Sequence, residues 1–223
     1  MKSNETWLTR HITLHNHADA AAERENSLSH GLGVLGAVVF LFLVATGREN
    51  FLHGRTWVGM LVYAATLILL YASSTLYHSV PKSDAKRLFR VFDHANIYLL
   101  IAGTYTPILA FIGTTVAIRL ILFVWAIAIA GIVFSLLFWE RLKPLHVMFY
   151  LGMGWMIVFF WDKIVPYLPA GLLWWILAAG IFYTLGVIFY AVKQIPHNHM
   201  IWHIFCVFAS AIFCIGFMIH LTS

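Results

Sequence analysis

Charge is what this chain has least of. Asp, Glu, Lys and Arg make up 10% of its 223 residues, against 61% apolar side chains and a mean hydropathy of +0.84. That is too little charge to solvate a soluble domain of this length. The roughly ten-residue alternating strands of an outer-membrane barrel are absent. The first 27 residues, MKSNETWLTRHITLHNHADAAAERENS, lack the apolar core and small-residue cleavage site of a secretory signal, so the first membrane helix is expected to direct insertion. Cysteine is nearly missing. Cys206 and Cys214 stand eight residues apart, about 12 Å along one helix, too far to bridge, and read as small core residues. The net charge of +5 is spread over short loops without aromatic interleaving, which excludes a nucleic-acid partner. The last apolar run contains no lysine for a retinal Schiff base, since Lys193 precedes it. GLGVLG at 31–36 has no strand before it and no cytosolic helix after it, so it is not a dinucleotide loop. Gly31, Gly33, Gly36 and Ala37, like Gly152 and Gly154, are instead expected to let helices approach closely.

What the chain does have is a succession of apolar runs long enough to cross a hydrocarbon core, which takes about 20 helical residues. They predict an all-α membrane protein, a seven-transmembrane helix bundle with spans near 28–47, 57–79, 91–112, 115–138, 145–164, 169–191 and 199–221. Residues 1–27 read as a polar tail and 28–221 as one domain. Ten basic residues fall on the side of the tail (Lys2, Arg10, Arg24, Lys82, Lys86, Arg87, Arg90, Arg141, Lys143, Lys193) and four on the other (Arg48, Arg55, Arg119, Lys163). The excess predicts a cytoplasmic N-terminus and an external C-terminus. Trp57, Trp139, Trp161, Trp174, Trp175 and Trp202 lie near span ends, where amphipathic rings settle at headgroups.

Ionisable residues inside or at the rim of a span are costly and therefore point to function. His78 closes the second span with Ser74 one turn before it, Asp93 opens the third, and His199 and His203 open the seventh. In the predicted topology all of them fall at one depth. His199 and His203 are an i, i+4 pair on one stripe, the spacing that lets two imidazoles share a metal. His78 would supply a third nitrogen and leave the fourth tetrahedral position to water, as in a catalytic zinc site. Asp93 could then orient that water or take its proton, and Ser74 could hydrogen-bond a ligand or polarise a substrate carbonyl. Spacing alone fits a polar clamp tying three helices together equally well. A haem between His78 and a last-span histidine is a further option that pigmentation would reveal. His53, His146, His197 and His220 read as headgroup-facing or hydrogen-bonded, and His11, His15 and His17 as solvated tail. His94, about 100° around the helix from Asp93, is expected in an interhelical hydrogen bond. His30 stands beside the cluster with its role open. Mid-membrane charges and broken or repeated helices, the marks of a transporter, are not found in the sequence.

ENSLSHGLG at 25–33, SSTLYHS at 73–79, FDHANIYLLIAGTYTP at 92–107 and the closing H-x-x-x-H resemble the bacterial hemolysin III family, a branch of the progestin and adipoQ receptor superfamily. The resemblance covers nearly the whole chain from about residue 22, and the third-span motif is highly specific. It implies a seven-helix protein of the bacterial inner membrane with zinc near the cytoplasmic face, held by His78, His199 and His203 and a water, with Asp93 near the water and Ser74 in the S-x-x-x-H motif. It further implies a hydrolase of lipid amides or esters serving membrane lipid and fluidity homeostasis, with membrane lipids as substrate or ligand. A non-enzymatic sensor with structural zinc and a cytolytic pore are the competing readings. Glu23 and Asn26 lie near the family's N-terminal motif without an assigned role.

Overall fold

The computed structural model describes residues 6–14, 19–139, 141 and 143–222, and every regular element among them is helical. A short helix α1 (Trp7–His11) precedes α2 (Ala20–Thr46), α3 (Gly54–Ser79), α4 (Asp84–Ile112) and α5 (Thr115–Leu137). Then come α6 (Lys143–Gly154), α7 (Trp161–Ile164), α8 (Leu172–Ala191) and α9 (Asn198–His220). Helices α2, α3, α4, α5, α8 and α9 are each long and apolar enough to cross a membrane, six in all. Neighbours pack in the order α5, α4, α3, α2, α9, α8. The α6–α7 stretch lies against α4 and α5 and reaches α8 through a Trp155 Nε1 hydrogen bond to the Thr184 hydroxyl, 3.0 Å.

The outer surface is apolar where that of a soluble bundle would be polar. On α2, Leu28, Leu32, Leu35, Val39 and Phe42 form an exposed apolar stripe, as expected where lipid is the solvent. Asn26, His30, Gly33, Ala37, Phe40 and Val44 form its buried face. That face is polar only over its first turns. Asp19 caps α2 by accepting from the Ala21 N–H at 2.8 Å, a preferred N-cap. The helix thus begins eight residues before the expected apolar run, and residues 20–27, read as tail, form its first two turns. Likewise Ser83 caps α4, so Asp93 lies nine residues inside that helix rather than at its mouth.

The fifth apolar stretch departs most from expectation. It is an interrupted path: α6 ends at Gly154, 3₁₀ turns follow at Met156–Val158 and Val165–Tyr167, and the four-residue α7 lies between them. Gly152 and Gly154 weaken the helix, and Tyr105 of α4 replaces the lost ladder. Its hydroxyl donates to the Gly154 carbonyl at 2.8 Å and accepts from the Ile157 N–H at 3.0 Å. Backbone freed inside a membrane protein must be satisfied in this way. The sequence-based argument against transport from unbroken helices therefore loses that support. The glycine expectation also divides. A Cβ on Gly33 would stand 2.9 Å from the Tyr71 ring, whereas Gly36, Gly152 and Gly154 face open space. Of the glycines expected to permit close approach, Gly33 is the one where a Cβ would obstruct a helix contact; Gly59 against Pro107 and Gly216 against Trp175 are close approaches that the sequence reading did not name.

Part of the tail is also built in. Ile12 is wholly buried, its carbonyl accepts from Arg87 Nε at 3.0 Å, Thr6 donates to Asp84 at 2.8 Å, and Arg90 donates to the Thr13 carbonyl. His11 is exposed and stacks on Trp7. His15 and His17 lie outside the described residues.

Candidate metal centre

The end of the bundle where α3 finishes and α9 begins gathers the polar side chains. His78 is the penultimate residue of α3, with Ser74 one turn earlier, and His199 and His203 occupy the first two turns of α9. Ring centroids are 4.5 Å apart for His199–His203, 5.1 Å for His78–His199 and 5.3 Å for His78–His203. One nitrogen from each ring lies within 4.8 Å of the others, so the three histidines can hold a metal ion.

Neighbouring groups set the orientation of His203 and His78. His203 is fully buried, and its Nδ1 lies 3.1 Å from the Asn26 carbonyl and 3.0 Å from the Ser29 hydroxyl. A carbonyl only accepts, so Nδ1 carries the proton and Nε2 presents its lone pair. That Nε2 is buried without a hydrogen-bond partner among the described residues. His78 Nδ1 faces Glu23 Oε1 at 3.5 Å. A carboxylate or carbonyl behind the far nitrogen is the usual support of a metal-ligating imidazole. The other Glu23 oxygen accepts from Lys86 Nζ at 2.7 Å, and the ammonium also donates to the carbonyls of Tyr77 at 2.6 Å and Val80 at 3.2 Å. Three acceptors thus satisfy a buried cation that would otherwise be prohibitive.

Asp93 is buried beside His78, Ser74 and Arg90. The Ser74 hydroxyl is wholly buried next to that carboxyl. All five residues selected from the sequence therefore converge. Sequence reasoning left four partners unassigned: Glu23 behind His78, Asn26 behind His203, Lys86 behind Glu23, and His30. The His30 ring lies parallel to His203 at a 3.5 Å centroid separation, is 2% exposed, and has neither nitrogen hydrogen-bonded among the described residues. Glu23, Asn26 and His30 are spaced i, i+3, i+7, one helical face, and that signal was available. The His94 ring bonds to the Arg90 carbonyl of its own helix at 2.9 Å and packs on Trp139, and its carbonyl accepts from Tyr150 of another helix at 3.4 Å. His146 is hydrogen-bonded to Ser135 and to the Arg141 carbonyl.

Six long apolar helices around a cluster of three buried or half-buried imidazoles define a multi-pass membrane protein with a potential metal centre. Residues 19–214 match the family model described as Haemolysin-III related. The chain is 37% identical over 203 residues to the Hemolysin-3 homolog of Bacillus subtilis (strain 168), covering 87% of this chain and 93% of that protein. It is 34% identical over 200 residues to Hemolysin-3 of Bacillus cereus, covering 88% and 91%. The human Monocyte to macrophage differentiation factor is 30% identical over 159 residues, covering 68% and 65%. This chain belongs to the hemolysin III family, within the progestin and adipoQ receptor superfamily.

Proposed function

We propose that this protein is a zinc-dependent hydrolase of lipid amides or esters, held in the bacterial inner membrane with its histidine end toward the cytoplasm and serving lipid and fluidity homeostasis. The observation that carries the reading is the three-imidazole cluster beside a buried hydroxyl and a buried carboxyl. In the proposed topology the interrupted α6–α7 stretch completes seven spans, putting the N-terminus inside and the C-terminus outside, in keeping with the basic-residue excess.

The donor set fits zinc. Three imidazole nitrogens that leave a fourth tetrahedral position to water are the pattern of a catalytic site, and the buried lone pair on His203 Nε2 has no hydrogen-bond partner among the described residues. Zinc, when bound by His78, His199 and His203, would supply a water that is acidic near neutral pH and polarise a carbonyl. The protein's own side chains then divide the work. Glu23 and the Asn26 carbonyl fix the tautomers and directions of His78 and His203. Asp93 receives the proton given up by the attacking water and returns it to the leaving group. Ser74 donates its hydroxyl to the substrate carbonyl oxygen, where negative charge develops.

The test is hydrolysis of a panel of lipid amides and esters by the purified, reconstituted protein. Turnover is expected, and Asp93→Asn should lower it by about 10²–10⁴ while retaining metal. Stoichiometric zinc with no hydrolysis across the panel would leave a sensor in which zinc fixes helix geometry. A cytolytic reading draws on the names of the Bacillus relatives, and single-channel conductance in planar bilayers would favour it.

A further inference from the structure

We propose that His30 contacts the ligand of the candidate metal centre directly, donating a ring N–H to an acyl oxygen of the molecule that binds beside His78, His199 and His203. The inference rests on the proposed function, which takes those three histidines to hold zinc and an acyl group to be what they act on. Three imidazoles suffice for the metal, and the layer contains a fourth. Helix α2 sets its position. Asn26 and Ser29 of that helix hold His203 Nδ1 at 3.1 and 3.0 Å, and His30, one turn after Asn26, lies along the face of the same ring with 15° between the planes and 3.5 Å between centroids. Tyr71 is a second ring neighbour at 5.0 Å, packed so close to α2 that a Cβ on Gly33 would meet it at 2.9 Å. The His30 ring is therefore held in place by stacking and by the tight α2–α3 contact.

Packing places the ring but does not satisfy its polar atoms. In either tautomer one imidazole nitrogen carries a hydrogen, and both His30 nitrogens are buried without a hydrogen bond among the described residues. The polar groups around it are committed elsewhere. The Asn26 carbonyl and Ser29 hydroxyl serve His203, and the Tyr71 hydroxyl pairs with Ser210 at 2.6 Å and donates to the Cys206 carbonyl at 3.1 Å. A buried donor without an acceptor is unfavourable, and a phenyl ring would stack as well without that penalty. A ligand oxygen removes it. The rings also indicate the side from which that oxygen comes, because a ring stacked at 3.5 Å covers one face of His203. His78 and His199, which meet His203 edge-on with centroids 5.3 and 4.5 Å away, therefore approach from its other sides. His30 borders the side that these two ligands leave. It is not a fourth ligand of the same kind: the nitrogens that converge belong to His78, His199 and His203, whereas His30 lies parallel to one of them.

Calorimetric titration of octanohydroxamate, which carries an acyl oxygen on a metal-binding group, into the zinc-loaded, full-length protein in detergent tests this without requiring turnover. His30→Phe keeps the ring and removes the donor. It should bind the hydroxamate about 10–100-fold more weakly than the wild type, the effect of one hydrogen bond to a charged ligand. Zinc content should be unchanged and the melting temperature unchanged or higher. His30→Gln, which restores a donor, should bind more tightly than the Phe variant. If the Phe variant does not fold, His30→Leu replaces it with the same expectation. Equal affinity in wild type and variant would overturn the contact, and so would a zinc-loaded wild type that binds no hydroxamate. Loss of zinc from a folded variant would make His30 a metal ligand and overturn it as well. The hydrolysis assay runs in parallel to separate the two claims. Hydrolysis with affinity independent of His30 defeats the contact alone, affinity dependent on His30 with no hydrolysis supports it while defeating the enzyme, and a wild type that takes up no zinc overturns both.

Discussion

Two polar layers lie about two turns apart along α9, and they are built on opposite principles. In the deeper one, Ser210 is the hub. Its hydroxyl pairs with the Tyr71 and Tyr183 hydroxyls at 2.6 Å each, Tyr71 also donates to the Cys206 carbonyl at 3.1 Å, and Tyr63 donates to the Ser210 carbonyl at 3.4 Å. Every hydroxyl there has a protein partner. In the histidine layer, His203 Nε2 and both His30 nitrogens are buried without one among the described residues. Leaving a buried polar atom unsatisfied costs about 1–3 kcal/mol. The difference is what the proposed metal centre requires and what a polar clamp, the other arrangement that spacing allowed, would not need.

That contrast is breakable, and the largest effect should come from the ligands themselves. Replacing His203 with Ala should empty the site of metal and reduce hydrolysis to background, read by elemental analysis and lipid assay. If His203→Ala kept full metal occupancy, the histidine layer would be a clamp after all. Next comes Asp93→Asn, where loss of general base action should cost about 10²–10⁴ in kcat with metal retained. Equal loss of metal would instead make Asp93 a ligand.

Glu23→Gln sharpens the role of the outer support. It should weaken metal affinity by about 10–100-fold, the usual cost of losing such a partner, as measured by competition with a chelator. It should also lower thermal stability, because Lys86, with a side chain only 6% exposed, loses its counter-ion in a site where breaking a buried pair costs about 3–5 kcal/mol. Smallest is Tyr71→Phe in the satisfied layer. One hydrogen-bonding hydroxyl is worth about 0.5–1.5 kcal/mol, so the melting temperature should fall by a few degrees while metal content stays the same. A change in metal content there would mean that the two layers are coupled.

How legible all this was depends on what the sequence pattern measures. Apolar periodicity marks where lipid touches a helix, so it located the long helices and the common end carrying His78, Asp93, His199 and His203. It says nothing of polar turns that extend a helix beyond the lipid. That is why α2 begins at Ala20 and α4 at Asp84, ahead of the apolar edges. Glu23 and Asn26 were hidden in a stretch that looked like tail, although their i, i+3, i+7 spacing with His30 already described a helical face. Lys86 looked like a topological marker in a loop and is instead a buried counter-ion. The break after Gly154 was signalled by Gly152 and Gly154, but a 3.6-residue pattern cannot foresee that Tyr105 from α4 would satisfy the opened backbone. Interactions between helices distant in sequence are the part that local pattern does not encode.

The most direct test of the central claim is elemental mass spectrometry on the detergent-purified protein, beside a His199→Ala, His203→Ala double variant. The account predicts one zinc per chain in the wild type and none in the variant. A folded wild-type preparation, never exposed to chelator and containing no metal, would contradict it.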